Sequence, residues 1–138
     1  MERPLAVAAL VALAAAPVGA AEWKPRMYSA ESTLELRTTA PGEGDHWFPV
    51  WLVVLDDQVY VRLGTRAASR VESNVTAPWI GVRIGGEEFD RVKLVPVPEL
   101  ADRVAHGMAA KYWSDVLIRH ASHPVTARLV PASADATR

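Results

Sequence analysis

The sequence predicts an α+β domain built on a mainly antiparallel, six-stranded β-barrel with one or two packing helices. Three observations predict it. Two long apolar segments are each interrupted by a short turn, segments in which apolar and polar residues alternate lie on either side of them, and an amphipathic segment follows the second long segment. Alternation with a period of two is typical of strands with one buried face. Strands joined by short turns pair antiparallel, which favours a small closed sheet.

Residues 46–63 are predicted to form the central hairpin, with a polar turn at residues 56–58. The first strand, residues 48–55, is apolar on both faces, which predicts that it is covered on both sides. The second strand alternates strictly, with one aliphatic face and one polar face: Val59, Val61 and Leu63 against Tyr60 and Arg62.

The remaining strands are predicted at residues 33–39, 79–84, 87–97 and 125–130, after an extended lead-in over residues 21–32. Gly85 and Gly86 are expected to form a two-residue turn, because glycine accepts positive φ without steric cost. Residues 40–45 contain one proline and two glycines, which predicts a loop.

Helices are predicted at three places. A short one is expected over residues 68–75, before Pro78. A longer one begins at Pro98 and ends near residues 111–113, with Leu100, Val104 and Met108 at four-residue spacing on its apolar face. A third, over residues 114–118, precedes Pro124.

Residues 1–20 have the features of a secretory signal peptide: a short positively charged start, an apolar run and small residues before the cleavage position. The apolar run is short for a membrane span, so we expect cleavage and export to the periplasm or medium, without stable membrane insertion. An uncleaved anchor is the alternative. The barrel domain is then expected over residues 33–131, with a flexible tail over residues 132–138.

Composition excludes several functions. The chain of 138 residues has no cysteine, which rules out thiol catalysis, iron–sulfur clusters and cysteine-type zinc sites. Its net charge of −1 provides no basic excess, so nucleic acid is not an expected partner. His120 and His123 have metal-ligand spacing, but no third or fourth ligand lies near them in sequence, so no metal is predicted. No nucleophile motif is present.

The strongest chemical signal is a group of cations and hydroxyls after the central hairpin: Arg62, Gly64, Thr65, Arg66, Ser69 and Arg70. Guanidinium groups, hydroxyls and backbone N–H groups at a helix start suit an anionic phosphate. Arg37, Thr38 and Thr39 end the first strand and can converge on the same place, and Trp51 is a candidate wall for a flat ring. The alternative is a solvated basic edge that discourages strand-to-strand aggregation.

Several short segments resemble the flavin-binding split β-barrels, which include pyridoxamine-phosphate-oxidase-like proteins, and above all their small deazaflavin-dependent, nitroreductase-like relatives. The segments are LRTT, FPVWLVV, VYVR, SRVESN, WIGVRIGG, RVKLVPV and AKYW, in this order over residues 36–113. The resemblance implies a homodimer that binds FMN or a deazaflavin across the subunit interface. It also implies that Arg62, Arg66, Ser69 and Arg70 approach the cofactor phosphate, and that Thr38 and Thr39 lead into a second phosphate loop.

The sequence departs from these relatives at residues 40–45. The relatives have a basic, glycine-containing loop at this place, whereas this chain has Glu43 and Asp45, whose carboxylates repel a phosphate. Three hypotheses follow. The chain is an exported, oxidoreductase-like barrel that binds FMN or a deazaflavin, or a barrel without flavin that binds another small ligand or only itself. The third hypothesis is a haem-binding variant with His46 or His120 as ligand. No catalytic side chain is assigned.

Overall fold

The computed structural model describes residues 22–112 and 125–132. Six strands form a closed barrel in the order β1-β2-β3-β6-β5-β4, and every neighbouring pair is antiparallel. The strands are β1 (Thr33–Ala40), β2 (Gly44–Leu55), β3 (Gln58–Leu63), β4 (Trp79–Ile84), β5 (Glu87–Pro96) and β6 (Val125–Pro131). The predicted fold class is therefore confirmed.

The helices are α1 (Pro25–Tyr28), α2 (Thr65–Glu72) and α3 (Ala101–Lys111), and a 3₁₀ turn (Pro98–Leu100) leads into α3. Helix α1 corrects the prediction of a wholly extended lead-in, since Pro25 stands at the first helical position, where a missing N–H does no harm. Among the described residues, no helix has the length and apolar composition needed to cross a membrane.

Helix α2 begins three residues earlier than predicted and ends three residues earlier. Its start follows Gly64, whose extended backbone forms the N-cap. It ends at Glu72, six residues before Pro78, and its last turn is closed by backbone bonds from the Ser73 N–H to the Ser69 carbonyl oxygen and from the Asn74 N–H to the Val71 carbonyl oxygen. The predicted helix over residues 114–118 lies outside the described residues, as do residues 1–21, residues 133–138, Trp113, His120 and His123.

The barrel interior is aliphatic. Leu36, Leu52 and Val61 have no exposed surface, and each comes from a strand position that the alternating pattern predicts to face inward. Val92 faces inward as predicted and is fully buried, whereas its predicted companion Leu94 is only half-buried. The interior contains residues of all six strands: Leu34, Leu36, Val50, Leu52, Val59, Val61, Leu63, Ile80, Val82, Ile84, Val92, Ala127 and Leu129.

A second apolar cluster lies outside the barrel, where α3 covers β2 and β3. Val104 and Met108 of α3 are fully buried against Val53 and Tyr60. The expectation that β2 is covered on both faces is therefore correct, but the expectation of a polar outer face on β3 is wrong at Tyr60. That side chain is 4% exposed because a helix distant in sequence covers it.

The central turn is tighter than predicted. Asp56 and Asp57 both have positive φ, 51° and 62°, and Gln58 is already the first residue of β3. Two consecutive residues with positive φ form the turn that matches the twist of a two-stranded ribbon. Gly85 and Gly86 form the corresponding turn between β4 and β5, as predicted.

Candidate functional site

Helix α2 organises the predicted site. Ala67, Ala68 and Val71 pack towards the barrel core, so the polar residues of the helix face outward. Two clefts share the segment 64–73 as part of their walls. We call the smaller one, of about 310 Å³, the tryptophan cleft; it is lined by Thr33, Pro49, Val50, Trp51, Arg62, Gly64 and Ala67. We call the larger one, of about 630 Å³, the arginine cleft; it is lined by Thr38, Ala40, Glu43, Thr65, Arg66, Ser69, Arg70 and Ser73.

The tryptophan cleft combines an aromatic surface with an unsatisfied cation. Trp51 is 37% exposed, and its ring centroid lies 6.0 Å from that of Tyr112, at an angle of 39°. Nη1 of Arg62 is buried and has no hydrogen-bond partner among the described residues. No side chain caps α2 at Gly64, so the first N–H groups of the helix are also available. The cleft can therefore accept an anionic group beside a flat ring.

Tyr112 and Lys111 fix the edge of this cleft. The Tyr112 hydroxyl lies 2.7 Å from the carbonyl oxygens of both Ser32 and Leu52. The ammonium group of Lys111 donates to the carbonyl oxygens of Glu31, at 2.6 Å, and Leu52, at 3.1 Å. Burial raises the pKa of Tyr112 and lowers the pKa of Lys111, because both charged forms lose solvation. The end of α3 is thereby attached to β2 and to the residues before β1.

The arginine cleft has a cationic wall. Arg66 and Arg70 are one turn apart on α2, and neither makes an ion pair or hydrogen bond with any residue in the described ranges. Four other arginines have carboxylate partners, for example Arg37 with Asp90 and Arg103 with Asp56, whereas Arg91 and Arg128 have none within the described ranges. Cations without a carboxylate partner remain available to an anionic ligand.

Thr38 and Thr39 are adjacent in β1, but their side chains point to opposite faces of the strand. Thr38 continues the inward series of Leu34 and Leu36, is 3% exposed and lines the arginine cleft. Thr39 points the other way: its hydroxyl donates to a carboxylate oxygen of Asp45, at 2.8 Å. Its N–H donates to Oδ1 of Asn74, at 2.9 Å. Thr38 therefore lies at the predicted site, whereas Thr39 has a structural role in the hairpin.

The β1–β2 connection is too short to surround a phosphate. Only Pro41, Gly42 and Glu43 separate the two strands, and the Glu43 N–H closes the turn on the Ala40 carbonyl at 3.1 Å. Half of the predicted loop over residues 40–45 is therefore strand, and only residues 41–43 form the turn. Glu43 lines the arginine cleft, so one of the two carboxylates noted in the sequence does lie beside the cationic wall.

The seven predicted site residues thus divide into three groups. Trp51 and Arg62 line the tryptophan cleft, whereas Thr38, Arg66, Ser69 and Arg70 line the arginine cleft. Thr39 lines neither. Sequence reasoning did not select Ser73 or Ala67. Ser73 was detectable, because it lies four residues after Ser69 on the same helix face.

The alternative ligands have less support from the described residues. His46 is exposed, lies opposite Thr38 in the β1–β2 hairpin and stacks on Phe48 with ring centroids 6.1 Å apart, which is not the buried position of a haem ligand. Within residues 22–112 and 125–132, no group of three or more histidine and carboxylate side chains is close enough to hold a metal ion. Of the other tryptophans, Trp79 lies on the outer surface beneath Arg91, at 4.3 Å, and outside the core.

Comparisons with known proteins relate this chain to others by fold. No family model and no curated protein matches it. A solved protein that forms a domain-swapped dimer superposes with a TM-score of 0.54 at 11% identity, over 72% of this chain and 80% of its own. An FAD-binding protein from Mesorhizobium loti is 14% identical, with a TM-score of 0.49 over 77% of this chain and 83% of its own. At such low identity the first similarity shows a shared fold and nothing of the ligand.

Proposed function

We propose that this chain is an exported, oxidoreductase-like split-barrel protein that binds a flavin nucleotide or a deazaflavin. The observation that carries the proposal is the set of three arginines on and just before α2 that have no carboxylate partner within the described residues, one of which shares a cleft with an exposed tryptophan. A bound flavin would supply hydride or electron transfer, and the residues of the chain would bind and orient it.

The phosphate end of such a ligand is assigned to Arg66, Arg70 and Ser69. Two guanidinium groups one helical turn apart can each donate to phosphate oxygens, and charge-assisted hydrogen bonds are about twice as strong as neutral ones. The Ser69 hydroxyl, between them in sequence and lining the same cleft, adds a neutral donor.

The ring is assigned to the tryptophan cleft. Trp51 and Val50 provide apolar surface there, and the buried Nη1 of Arg62 lacks an acceptor. A buried donor without a partner is unfavourable by about 1–3 kcal/mol, so an acceptor on the ligand would stabilise this side chain. The carbonyl oxygens of a flavin or deazaflavin ring are acceptors of this kind.

Titration of FMN into the purified protein tests the proposal. We expect saturable quenching of flavin fluorescence, and at least about tenfold weaker binding in an Arg66→Ala/Arg70→Ala variant, because two charge-assisted contacts are removed. Arg103→Ala is the matched control, since Arg103 is an exposed arginine on α3 that pairs with Asp56 and lines neither cleft. Absence of FMN and deazaflavin binding by the parent protein would contradict the proposal.

A second candidate is a barrel without flavin that binds another small ligand or only itself. Glu43 favours it, because a carboxylate beside Arg66 and Arg70 weakens the attraction for a phosphate that carries two negative charges. The absorption spectrum of the protein as purified distinguishes the candidates: flavin bands support the first, and a Soret band would indicate haem.

Export and dimerisation belong to the same proposal and have their own tests. We expect the mass of the protein recovered from an expressing cell to correspond to removal of residues 1–20, and its location to be outside the cytoplasm. Sedimentation analysis is expected to show a dimer, as for the proteins whose sequences this chain resembles. A full-length cytoplasmic monomer would contradict both expectations.

A further inference from the structure

The arginine cleft contains an unpaired anion as well as unpaired cations. The carboxylate of Glu43 makes no ion pair or hydrogen bond with any described residue, although it lines the same cleft as Arg66 and Arg70. An ion pair among these side chains would neutralise the cleft, and none forms. The cleft therefore presents strong donors on the α2 wall and a strong acceptor on the β1–β2 turn.

Thr38 lines the arginine cleft from β1. Its side chain is 3% exposed, and its hydroxyl has no hydrogen-bond partner within residues 22–112 and 125–132. The hydroxyl is not a fully buried atom, since among the described residues only Nη1 of Arg62 is both buried and without a partner. It can therefore donate to, or accept from, a ligand in the cleft.

Hydroxyls also line the helical wall. Thr65, Ser69 and Ser73 recur at four-residue spacing, so they form one stripe along α2 beside the stripe of Arg66 and Arg70. Together with Thr38 they make four hydroxyls, each able to donate and accept, in a cleft of about 630 Å³. These four hydroxyls can exchange hydrogen bonds with a hydroxyl-rich ligand.

We infer that the arginine cleft binds a phosphorylated polyol or sugar, whose phosphate contacts Arg66 and Arg70 while a neighbouring hydroxyl donates to Glu43. The placement of the phosphate rests on the proposed function. Glu43 is a specificity-determining residue in this scheme. Its carboxylate repels inorganic phosphate. It also repels the phosphate group of a hydroxylated ester, but the hydrogen bond that it accepts from a hydroxyl of the ester offsets this repulsion.

Calorimetric titrations of the purified protein with ribose 5-phosphate, inorganic phosphate and ribose test the inference. We expect ribose 5-phosphate to bind at least about tenfold more tightly than inorganic phosphate, since one charge-assisted hydrogen bond is worth about that factor. Glu43→Ala is expected to strengthen the binding of inorganic phosphate and to weaken the binding of ribose 5-phosphate. The ratio of the two affinities, which measures the preference, should therefore fall towards one. Glu99→Ala, at an exposed carboxylate outside the cleft, is the matched control and should leave it unchanged.

Several outcomes overturn the inference: no binding of ribose 5-phosphate, equal binding of the two anions, or an unchanged preference in Glu43→Ala. Tighter binding of O-phosphoserine than of ribose 5-phosphate also overturns it, because Glu43 would then select an ammonium group. If FMN binds and ribose 5-phosphate does not, this inference fails alone. If ribose 5-phosphate binds in a manner that depends on Glu43 and FMN does not, the flavin proposal fails and the inference stands.

Discussion

Asn74 joins three parts of the chain through one buried side chain. Its Oδ1 accepts from the N–H groups of Thr39 and Thr76, at 2.9 and 3.3 Å, and its Nδ2 donates to the carbonyl oxygen of Trp79 at 2.8 Å. These contacts connect β1, the end of α2 and the start of β4. The sequence Asn74-Val75-Thr76 matches a glycosylation sequon, but in the folded chain the Asn74 amide is 7% exposed and already donates a hydrogen bond.

We expect Asn74→Ala to lower the free energy of unfolding by about 2–3 kcal/mol, because it leaves buried backbone groups without partners. Urea denaturation measures this change. Thr76→Val is the comparison: it removes the hydroxyl of an exposed residue, 2.7 Å from the Trp79 carbonyl oxygen and 3.0 Å from Oδ1 of Asn74, and water can replace that hydroxyl. Equal, small losses in the two variants would contradict a central role for Asn74.

Helix α3 contacts the barrel through a glycine. A Cβ atom at Gly107 would lie 3.2 Å from Val53 and 3.3 Å from Leu55, which is closer than ordinary van der Waals contact. The absence of a side chain thus allows the helix to approach β2 and to bury Val104 and Met108. This close approach also explains why Tyr60 is covered.

We expect Gly107→Val to lower the free energy of unfolding by about 1–3 kcal/mol, because a branched side chain has no room against β2. Ala110→Val is the matched control on the exposed face of the same helix, where only the weaker helix propensity of valine acts. Urea denaturation of both variants measures the difference. Because valine has a higher helix propensity than glycine, a Gly107→Val variant that is as stable as the parent protein would contradict the packing explanation.

On the scale of the whole molecule, the segment before β1 is part of the core. Tyr28 is 3% exposed, its ring meets that of Trp23 edge-on at 5.4 Å, and Trp23 meets Phe89 at 5.0 Å. The Tyr28 hydroxyl lies 3.1 Å from a carboxylate oxygen of Glu87. Burial, together with this carboxylate, raises the pKa of Tyr28 from 10.0 to about 12.

This shift predicts a loss of stability at high pH. Between pH 10 and about pH 12 the folded chain retains the Tyr28 proton that the unfolded chain releases. Stability that is fully present below pH 10 is therefore lost as the pH rises towards 12. Urea denaturation below pH 10 and just below pH 12 measures the decline in the free energy of unfolding. We expect this decline to be smaller in Tyr28→Phe. Parallel declines in the two proteins would contradict this assignment.

Local patterns were sufficient to predict the six strands and the turns between β2 and β3 and between β4 and β5. Inward positions such as Leu36, Val61 and Val82 follow from alternation alone, since neighbouring residues of a strand point to opposite faces. The same rule separates Thr38 from Thr39, and applying it would have removed Thr39 from the predicted site. Gly85 and Gly86 were predictable because their conformational freedom is a property of the residue itself.

The site was only partly predictable for a different reason. The sequence placed Arg62, Arg66 and Arg70 in one cluster because they lie within nine residues of one another. In the structure, Arg62 extends from a strand and the other two from a helix, so they line two clefts. Side-chain direction depends on the element that carries the residue, and α2 begins at Thr65, after Arg62 and before Arg66.

The sequence by itself determined the period of each strand, the position of the turns and the α+β class, because these depend on residues close together in the chain. Only the tertiary structure decided that β3 pairs with β6, that α3 covers Tyr60 and that Glu43 faces the arginines. These contacts join residues far apart in sequence. They form only when burial of the whole apolar interior closes the barrel, and no local pattern encodes that closure.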